Sequence, residues 1–388
     1  MQLDKKFLFQ LLSCPTAPFR ESQVAFCVKS FLEKEKLSYF EDPIGNIVVG
    51  ASSQGEYLKK LKNLETEPVR FFIAHMDHPG FHGVKWISRK ILEVKWHGGT
   101  PRKFLNGSKV WLSTQAGNFW EGKIQKAKLN KAKTALASSQ VVITDTKAVE
   151  EIECVQAREL FGAFLFSSPV WEKKKILYTK AADDLVGVFA ILTLAKHLKN
   201  HHSKFLGLIS RAEEVGFVGT IAHLNLGWMK AFGSKVAVVS LETSRTLPGA
   251  VVGKGPVVRL GDRATPFDPE LTQVLTQVAQ KKLKLKYQRR IMDGGTCEAT
   301  AALAFGYRAM GISIPLGNYH NQSFEAGPES RGEWGPAPEF VHLEDIQGML
   351  KLCEGLMEDN LPWNDPWQKK REALLKSQEE LSELLKLR

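Results

Sequence analysis

Apolar and polar positions along this chain follow two rhythms. From Ser22 the apolar residues Val24, Ala25, Val28, Phe31 and Leu32 recur at the spacing of one helix face. Residues 7–12, broken by Gln10 and preceded by Asp4, read as a first amphipathic helix. The same period returns over residues 185–198 as a strong amphipathic helix, and residues 341–360 are again helical. Other apolar runs are short and unbroken. Gly45-Asn46 ahead of Ile47-Val48-Val49 reads as a turn into a strand. Residues 69–74 are apolar apart from Arg70 and stop at His75-Met76-Asp77, which predicts a buried central strand with polar groups at its C-terminal edge. Residues 205–209, 236–239 and 310–314 are further short strands. Strands alternating with helices imply an α/β fold, a mostly parallel sheet covered by helices on both faces.

Between residues 83 and 180 the texture changes. Short β-rich pieces, such as 91–96 and 110–112, are separated by Gly-Gly, Asn-Gly and Ala-Gly turns. Regular short strands with turn signals predict a small inserted β-barrel-like domain. The expected division is a discontinuous catalytic domain (1–82 and 181–360), the insertion (83–180) and a C-terminal amphipathic tail (361–388). In the tail, Leu374, Leu375, Leu381, Leu384, Leu385 and Leu387 stand among charges, as a helix packed on its own core or as a subunit contact.

The bulk composition narrows the class. The 388 residues, 43% hydrophobic and 24% charged, make ordinary globular protein and exclude disorder and fibres. No run of about 18 apolar residues is present, so no membrane partner is expected, and the first apolar stretch is too short for a signal peptide. Five cysteines, at 14, 27, 154, 297 and 353, are scattered without C-x-x-C pairing, which argues against disulfides and thiolate-bound zinc and for a cytoplasmic location. The net charge of +11 gathers at residues 59–62, 123–133 and 281–290. No recognition motif or interleaved aromatic accompanies these clusters, so nucleic acid is not expected as a partner. They read as solvated faces, or as attractors of acidic substrates.

Five places put polar groups where a strand or tight turn should end. They are His75-x-Asp77; Asp183-Asp184 at the start of a helix; Glu213-Glu214-Val215-Gly216 after a strand; Ser240-Leu241-Glu242; and Tyr319-His320-Asn321. An imidazole ligand needs its second nitrogen held by an acceptor, and Asp77 stands two residues from His75. Asp183 and Asp184 either cap the helix and offset its dipole, or one of them bridges two cations. Adjacent residues at a strand end diverge, so one of Glu213 and Glu214 can ligate a metal while the other faces substrate. All five are expected near the C-terminal edge of one parallel sheet, where such folds place their ligand sites. Mixed histidine and carboxylate donors suit Zn, Co or Mn.

The order His75-Met76-Asp77, Asp183-Asp184-Leu185-Val186-Gly187, Glu213-Glu214-Val215-Gly216, Glu242, Gly294-Gly295-Thr296 and Tyr319-His320 resembles the TET or deblocking aminopeptidases. These form metallopeptidase family forty-two, whose members are also labelled glutamyl aminopeptidases or endoglucanases. The resemblance covers nearly the whole chain and stops near residue 360. It implies a dinuclear metal-dependent aminopeptidase acting on peptides, with two divalent ions (Zn foremost, Co or Mn as alternatives) and a homo-oligomeric assembly. His75 and Glu242 would hold one ion, Glu214 and His320 the other, and Asp183 would bridge. Glu213 would be the general base that activates a water between the metals, Asp77 would orient His75, and the Asp183–Asp184 peptide would be cis. The chain departs from the family pattern at Leu185, where Arg is usual, at Glu242, where Asp is usual, and at Cys297-Glu298 after Gly-Gly-Thr.

Related carboxypeptidases and N-acyl amide deacylases carry the same constellation, and spacing separates them. Their insertion precedes the final His, whereas here His75 to Asp183 spans 183 − 75 = 108 positions and Glu242 to His320 only 320 − 242 = 78. Glycosidases need carboxyls about 5–9.5 Å apart across the bond, which the divergent Glu213-Glu214 pair serves poorly. A non-catalytic metal-binding scaffold is the remaining alternative, and the complete set of ligands argues against it.

Overall fold

The computed structural model describes residues 1–62, 67–152, 154–199 and 203–386. Strands β1 (Tyr39–Glu41), β2 (Ile47–Val49) and β3 (Val69–His75) come first. They are followed by β4 (Gly80–Ser88), β5 (Ile91–His97), β6 (Lys109–Ser113), β7 (Phe119–Leu129), β8 (Leu136–Ile143) and β9 (Phe161–Phe164). A hairpin of β10 (Val170–Lys173) and β11 (Ile176–Thr179) leads into β12 (Phe205–Ser210) and β13 (Val236–Arg245). The last strands are β14 (Val257–Asp262), β15 (Gln288–Met292), β16 (Arg308–Leu316) and β17 (Glu339–His342).

Eight strands form one sheet in the order β1-β2-β12-β3-β13-β16-β14-β15. Its centre, β12-β3-β13-β16, is parallel throughout. Every residue of β3 and β12 is buried, as strands covered on both faces must be, and their sequences are correspondingly continuous apolar runs. Arg70 is the exception inside β3; it is satisfied by the Leu356 carbonyl at 3.0 Å and the Glu67 carboxylate at 2.7 Å.

One face of the sheet packs against the helices Lys5–Ser13, Ser22–Lys34, Leu185–Leu198, Pro269–Leu283 and Leu343–Leu356. The other packs against Gln54–Lys62, Val218–Asn225 and Glu298–Ala304. The helix Leu185–Leu198 differs from its expected amphipathic character. Residues Leu185 to Ala195 are all buried, because the helix lies between the sheet and the outer helices and has no solvent face until its last turn.

β4-β5-β8-β7-β6-β9 close into a barrel between β3 and β12. Inward residues such as Leu92 and Val94 on β5 and Trp120 and Ile124 on β7 alternate with outward polar ones and fill its core. Closure demands a close approach at Gly162, where a Cβ would stand 1.9 Å from the Trp111 carbonyl oxygen. β10 and β11 join β17 in a separate three-stranded sheet beside the barrel.

The tail helix Gln368–Glu380 buries none of its residues, and Leu374, Leu375, Leu381, Leu384 and Leu385 are exposed. The tail helix is therefore not packed on the core of its own chain, whereas Trp363 ahead of it is buried in that core; Leu387 and Arg388 lie outside the described residues. Among the described residues no helix is long and apolar enough to cross a membrane.

Candidate metal centre

Four neighbouring strands deliver the predicted residues to one end of the sheet. β3 ends on His75, paired with Ser210 at the end of β12, and the chain leaving β12 carries Glu213 and Glu214. Glu242 lies on β13 and His320 in the turn after β16. β13 is longer than the apolar run 236–239 suggests. Its pairing with β3 stops at Ser240↔Ile73, but pairing with β16 continues to Arg245↔Leu316 and carries Glu242 two residues beyond the last β3 pair, level with His75. Asp183 lies on the segment between β11 and the helix Leu185–Leu198.

Two donor groups result, each with ligand atoms within 4.8 Å of one another: His75, Asp183 and Glu242, and Asp183, Glu214 and His320. Asp183 belongs to both. Its Oδ1 lies 3.5 Å from His75 Nε2 and its Oδ2 3.5 Å from His320 Nε2. His320 Nε2 is also 3.1 Å from Glu214 Oε2, and Glu213 Oε2 is 3.6 Å from His75 Nε2.

The electrostatics ask for positive charge. Asp183 Oδ1, Glu214 Oε1 and His320 Nε2 are buried without a hydrogen-bond partner, and polar atoms left so are costly unless something else satisfies them. Burial works against a charged His320 ring, yet Glu214 and Asp183 outweigh it and push the imidazole up to about 10. His75 is raised in the same way, against its burial, by Glu213, Asp183 and Asp77. Burial pushes the Glu213 carboxyl up, with the Glu298, Glu214 and Asp77 charges adding and His75 opposing. Imidazoles that must carry a proton to balance the carboxylates occupy a place where cations serve better. The donor set and its orphaned atoms fit divalent metal ions.

The supporting groups show how the site is held. His75 Nδ1 lies 3.1 Å from the Asp77 main-chain carbonyl and 3.6 Å from its carboxylate. The Asp77 carboxylate also accepts the amides of Glu213 at 2.9 Å and Glu214 at 3.1 Å. Asp77 thus faces the histidine with both its backbone carbonyl and its carboxylate, and the same carboxylate holds the glutamate pair. The two adjacent acids divide their work: Asp184 caps the helix Leu185–Leu198 through the Gly187 amide at 3.1 Å, and Asp183 faces the histidines. The peptide between them is cis. Ala212 and Phe217 flank the glutamate pair with positive φ, as do Asn318, His320 and Asn321 around the second histidine. Such backbone costs about 1–3 kcal/mol per residue and gathers at functional sites.

Sequence reasoning missed three groups here. Glu339 on β17 is fully buried and accepts the amides of Ala182 at 2.7 Å, Asp183 at 3.3 Å and His320 at 2.8 Å, tying the two ligand loops together. Burial, with the Asp183 charge adding, pushes its carboxyl up to about 8. His78 lies 2.8 Å from the Asp183 carbonyl and 3.3 Å from Asn321 Oδ1. Gly99, in the barrel, backs the His320 ring, and a Cβ there would stand 2.1 Å from His320 Nδ1. Gly99→Ala is therefore expected to displace His320 and weaken metal binding by about 10–100-fold, the usual effect of losing a ligand's support. Isothermal titration with Zn²⁺ checks it; unchanged affinity would mean that the ring has room to move.

The sequence model of a family described as M42 glutamyl aminopeptidase matches residues 55–326. Solved structures of the same fold include the TET1 peptidase of Pyrococcus horikoshii, at 21% identity and TM-score 0.69, covering 92% of this chain and 99% of that one. An aminopeptidase of Desulfurococcus kamchatkensis has 21% identity and TM-score 0.69 over 92% of this chain and 95% of its own. A Thermotoga maritima protein described as an endoglucanase has 16% identity and TM-score 0.62 over 92% and 99%.

Proposed function

The chain belongs to the M42 glutamyl aminopeptidase family and is thus a hydrolase of the aminopeptidase kind; from that membership we infer that it removes N-terminal residues from peptides at a site for two divalent cations, with Glu213 as general base. The observation that carries this reading is Asp183, whose two oxygens face the two histidines from a single carboxylate. His75 and Glu242 complete one side, Glu214 and His320 the other. The donors are nitrogen and oxygen only, which suits Zn first and Co or Mn next. When bound, such a pair of ions polarises a scissile carbonyl and makes water a better nucleophile.

The protein's own groups do the rest. Glu213 is held with its amide on Asp77, and its side chain remains the more accessible of the glutamate pair, 11% exposed against 4% for Glu214. It accepts the proton of the attacking water and returns it to the leaving amine. A free substrate amine next to the cation site makes the enzyme an exopeptidase. Matched aminoacyl anilides and N-acetylated anilides test this after metal reconstitution. Hydrolysis of the acetylated compounds in preference to the free amines would overturn the reading in favour of a deacylase.

Substrate choice follows from the pocket beside Glu242, lined also by Arg245, Arg259, Thr296 and Tyr319. Arg259 is buried, donates to Ser244 Oγ at 3.5 Å and has no partner for its Nε; the Arg245 Nε is likewise unpartnered. The Arg259 and Arg245 guanidiniums, the first near the Glu242 charge and the second stacked on Phe324 at 3.7 Å, put positive charge beside this pocket, which suits an acidic side chain. Arg259→Met is expected to lower kcat/KM for glutamyl substrates about 10–100-fold, the worth of one hydrogen bond to a charged group, and to change leucyl substrates far less. Equal losses for both would assign Arg259 to folding. The basic run at residues 281–290 contributes less than its sequence suggests, since Lys281 and Lys282 both pair with Glu358 at 2.8 and 2.6 Å.

Homo-oligomer formation belongs to the same proposal. The P. horikoshii relative assembles into a tetrahedron or a large octahedral shell, and the exposed leucines of the tail here are a surface suited to a second subunit.

A further inference from the structure

The geometry points to a third divalent-cation site, formed by Glu213, Glu242 and Glu298, whose filling takes the general base out of action. The inference rests on the two-cation reading above. One carboxylate oxygen from each of the three residues lies within 4.8 Å of the other two. Oxygens in the coordination sphere of a cation bound at about 2.1–2.5 Å are roughly 3–5 Å apart, so the spacing suits shared coordination. Glu298 is the residue that the two-cation site leaves unexplained. It is completely buried, its Oε1 accepts the Ser210 hydroxyl at 3.2 Å, and its Oε2 has no partner. A buried carboxylate with an orphaned oxygen is destabilising unless a cation or a donor satisfies it.

The overlapping groups bring five carboxylates, those of Asp183, Glu213, Glu214, Glu242 and Glu298. Two divalent cations offset four of these charges, and the buried Arg259 guanidinium stands near Glu242 and Glu298. What asks for a further cation is the orphaned Glu298 oxygen in a residue within reach of the other two carboxylates. The third group differs from the others in kind, because it offers oxygen alone and no imidazole. Oxygen-only donors favour hard cations such as Mn²⁺, Mg²⁺ or Ca²⁺ over Zn²⁺. Once Glu213 shares its oxygen with such a cation, that oxygen no longer accepts a proton from water. The consequence is activity that rises with the first two ions and falls with the third.

Metal-free full-length enzyme titrated with Mn²⁺ tests this, with free Mn²⁺ counted by electron paramagnetic resonance and hydrolysis followed in parallel. The expected result is three ions per chain, the last at least about 10-fold weaker than the others for want of an imidazole, with the rate falling as it binds. Glu298→Gln should stop at two ions and lose the falling phase. Glu298→Asp, which keeps the charge on a shorter arm, should weaken the third ion and move the fall to higher Mn²⁺, so the idea remains testable if the glutamine variant folds poorly. Saturation of the wild type at two ions into the millimolar range would overturn the third site and leave the two-cation reading standing. Fewer than two ions would overturn both. A third ion retained by Glu298→Gln would place it elsewhere and overturn the assignment.

Discussion

Glu213→Gln is expected to lower kcat by about 10²–10⁴ while both cations remain bound, because the substitution removes a proton acceptor and little else. The glutamine has nearly the same shape, and the bond that positions this residue is made by its amide to the Asp77 carboxylate at 2.9 Å, which the substitution does not touch. Its partner Glu214, held by the other Asp77 oxygen at 3.1 Å, keeps its place against His320. A loss of rate at constant metal content thus separates a base from a ligand. Metal analysis of the purified variant beside steady-state kinetics decides the matter. Near-normal kcat with full metal would remove Glu213 from the mechanism, and low kcat with lost metal would make it a ligand.

The readable part of this site lay where apolar runs stop. His75 and Glu213-Glu214 close stretches so apolar that a polar residue at their end is out of place, and a parallel sheet brings such ends together. The barrel was equally plain, since its turns recur at short intervals and its strands alternate. Glu242 is legible in sequence as a strand-end acid, but its strand runs further than the apolar run that marks it. The run 236–239 falls where β13 pairs with β3, whereas pairing with β16 carries the strand on to Arg245 and burial on to Thr243. The helix Leu185–Leu198 was misjudged for a related reason: local period records one apolar face and says nothing of what later covers the other. Glu339 has no readable signal, and Glu298 shows in sequence only as a departure from the family pattern after Gly-Gly-Thr. Each is a lone acid whose meaning comes from partners far along the chain, Ala182 and His320 for the first and Ser210 for the second. No periodicity or spacing encodes a contact of that length.

Asp183→Ala should be the most damaging of the ligand substitutions, reducing bound metal from two ions towards none. His75 and His320 each belong to one donor group, so replacing either by Ala should cost one ion, whereas Asp183 belongs to both. Loss of a supporting residue behind a ligand already costs about 10–100-fold in affinity, so loss of the shared ligand should exceed that for both ions. Folding gives an independent measure. A cation that binds only the native state raises Tm by mass action, so wild-type enzyme should gain stability when Zn²⁺ is added and the variant should gain little. The metal-free variant should nevertheless fold. His75 and His320 keep Glu213 and Glu214 as facing carboxylates, and the start of the helix does not depend on Asp183, because Asp184 supplies the cap through Gly187. Calorimetry of both proteins with and without Zn²⁺, beside metal counting, checks each part. An Asp183→Ala protein that still holds two ions tightly and gains the full Tm increment would show that Asp183 does not bridge, and the site would have to be rebuilt around Glu214, Glu242 and the two histidines alone.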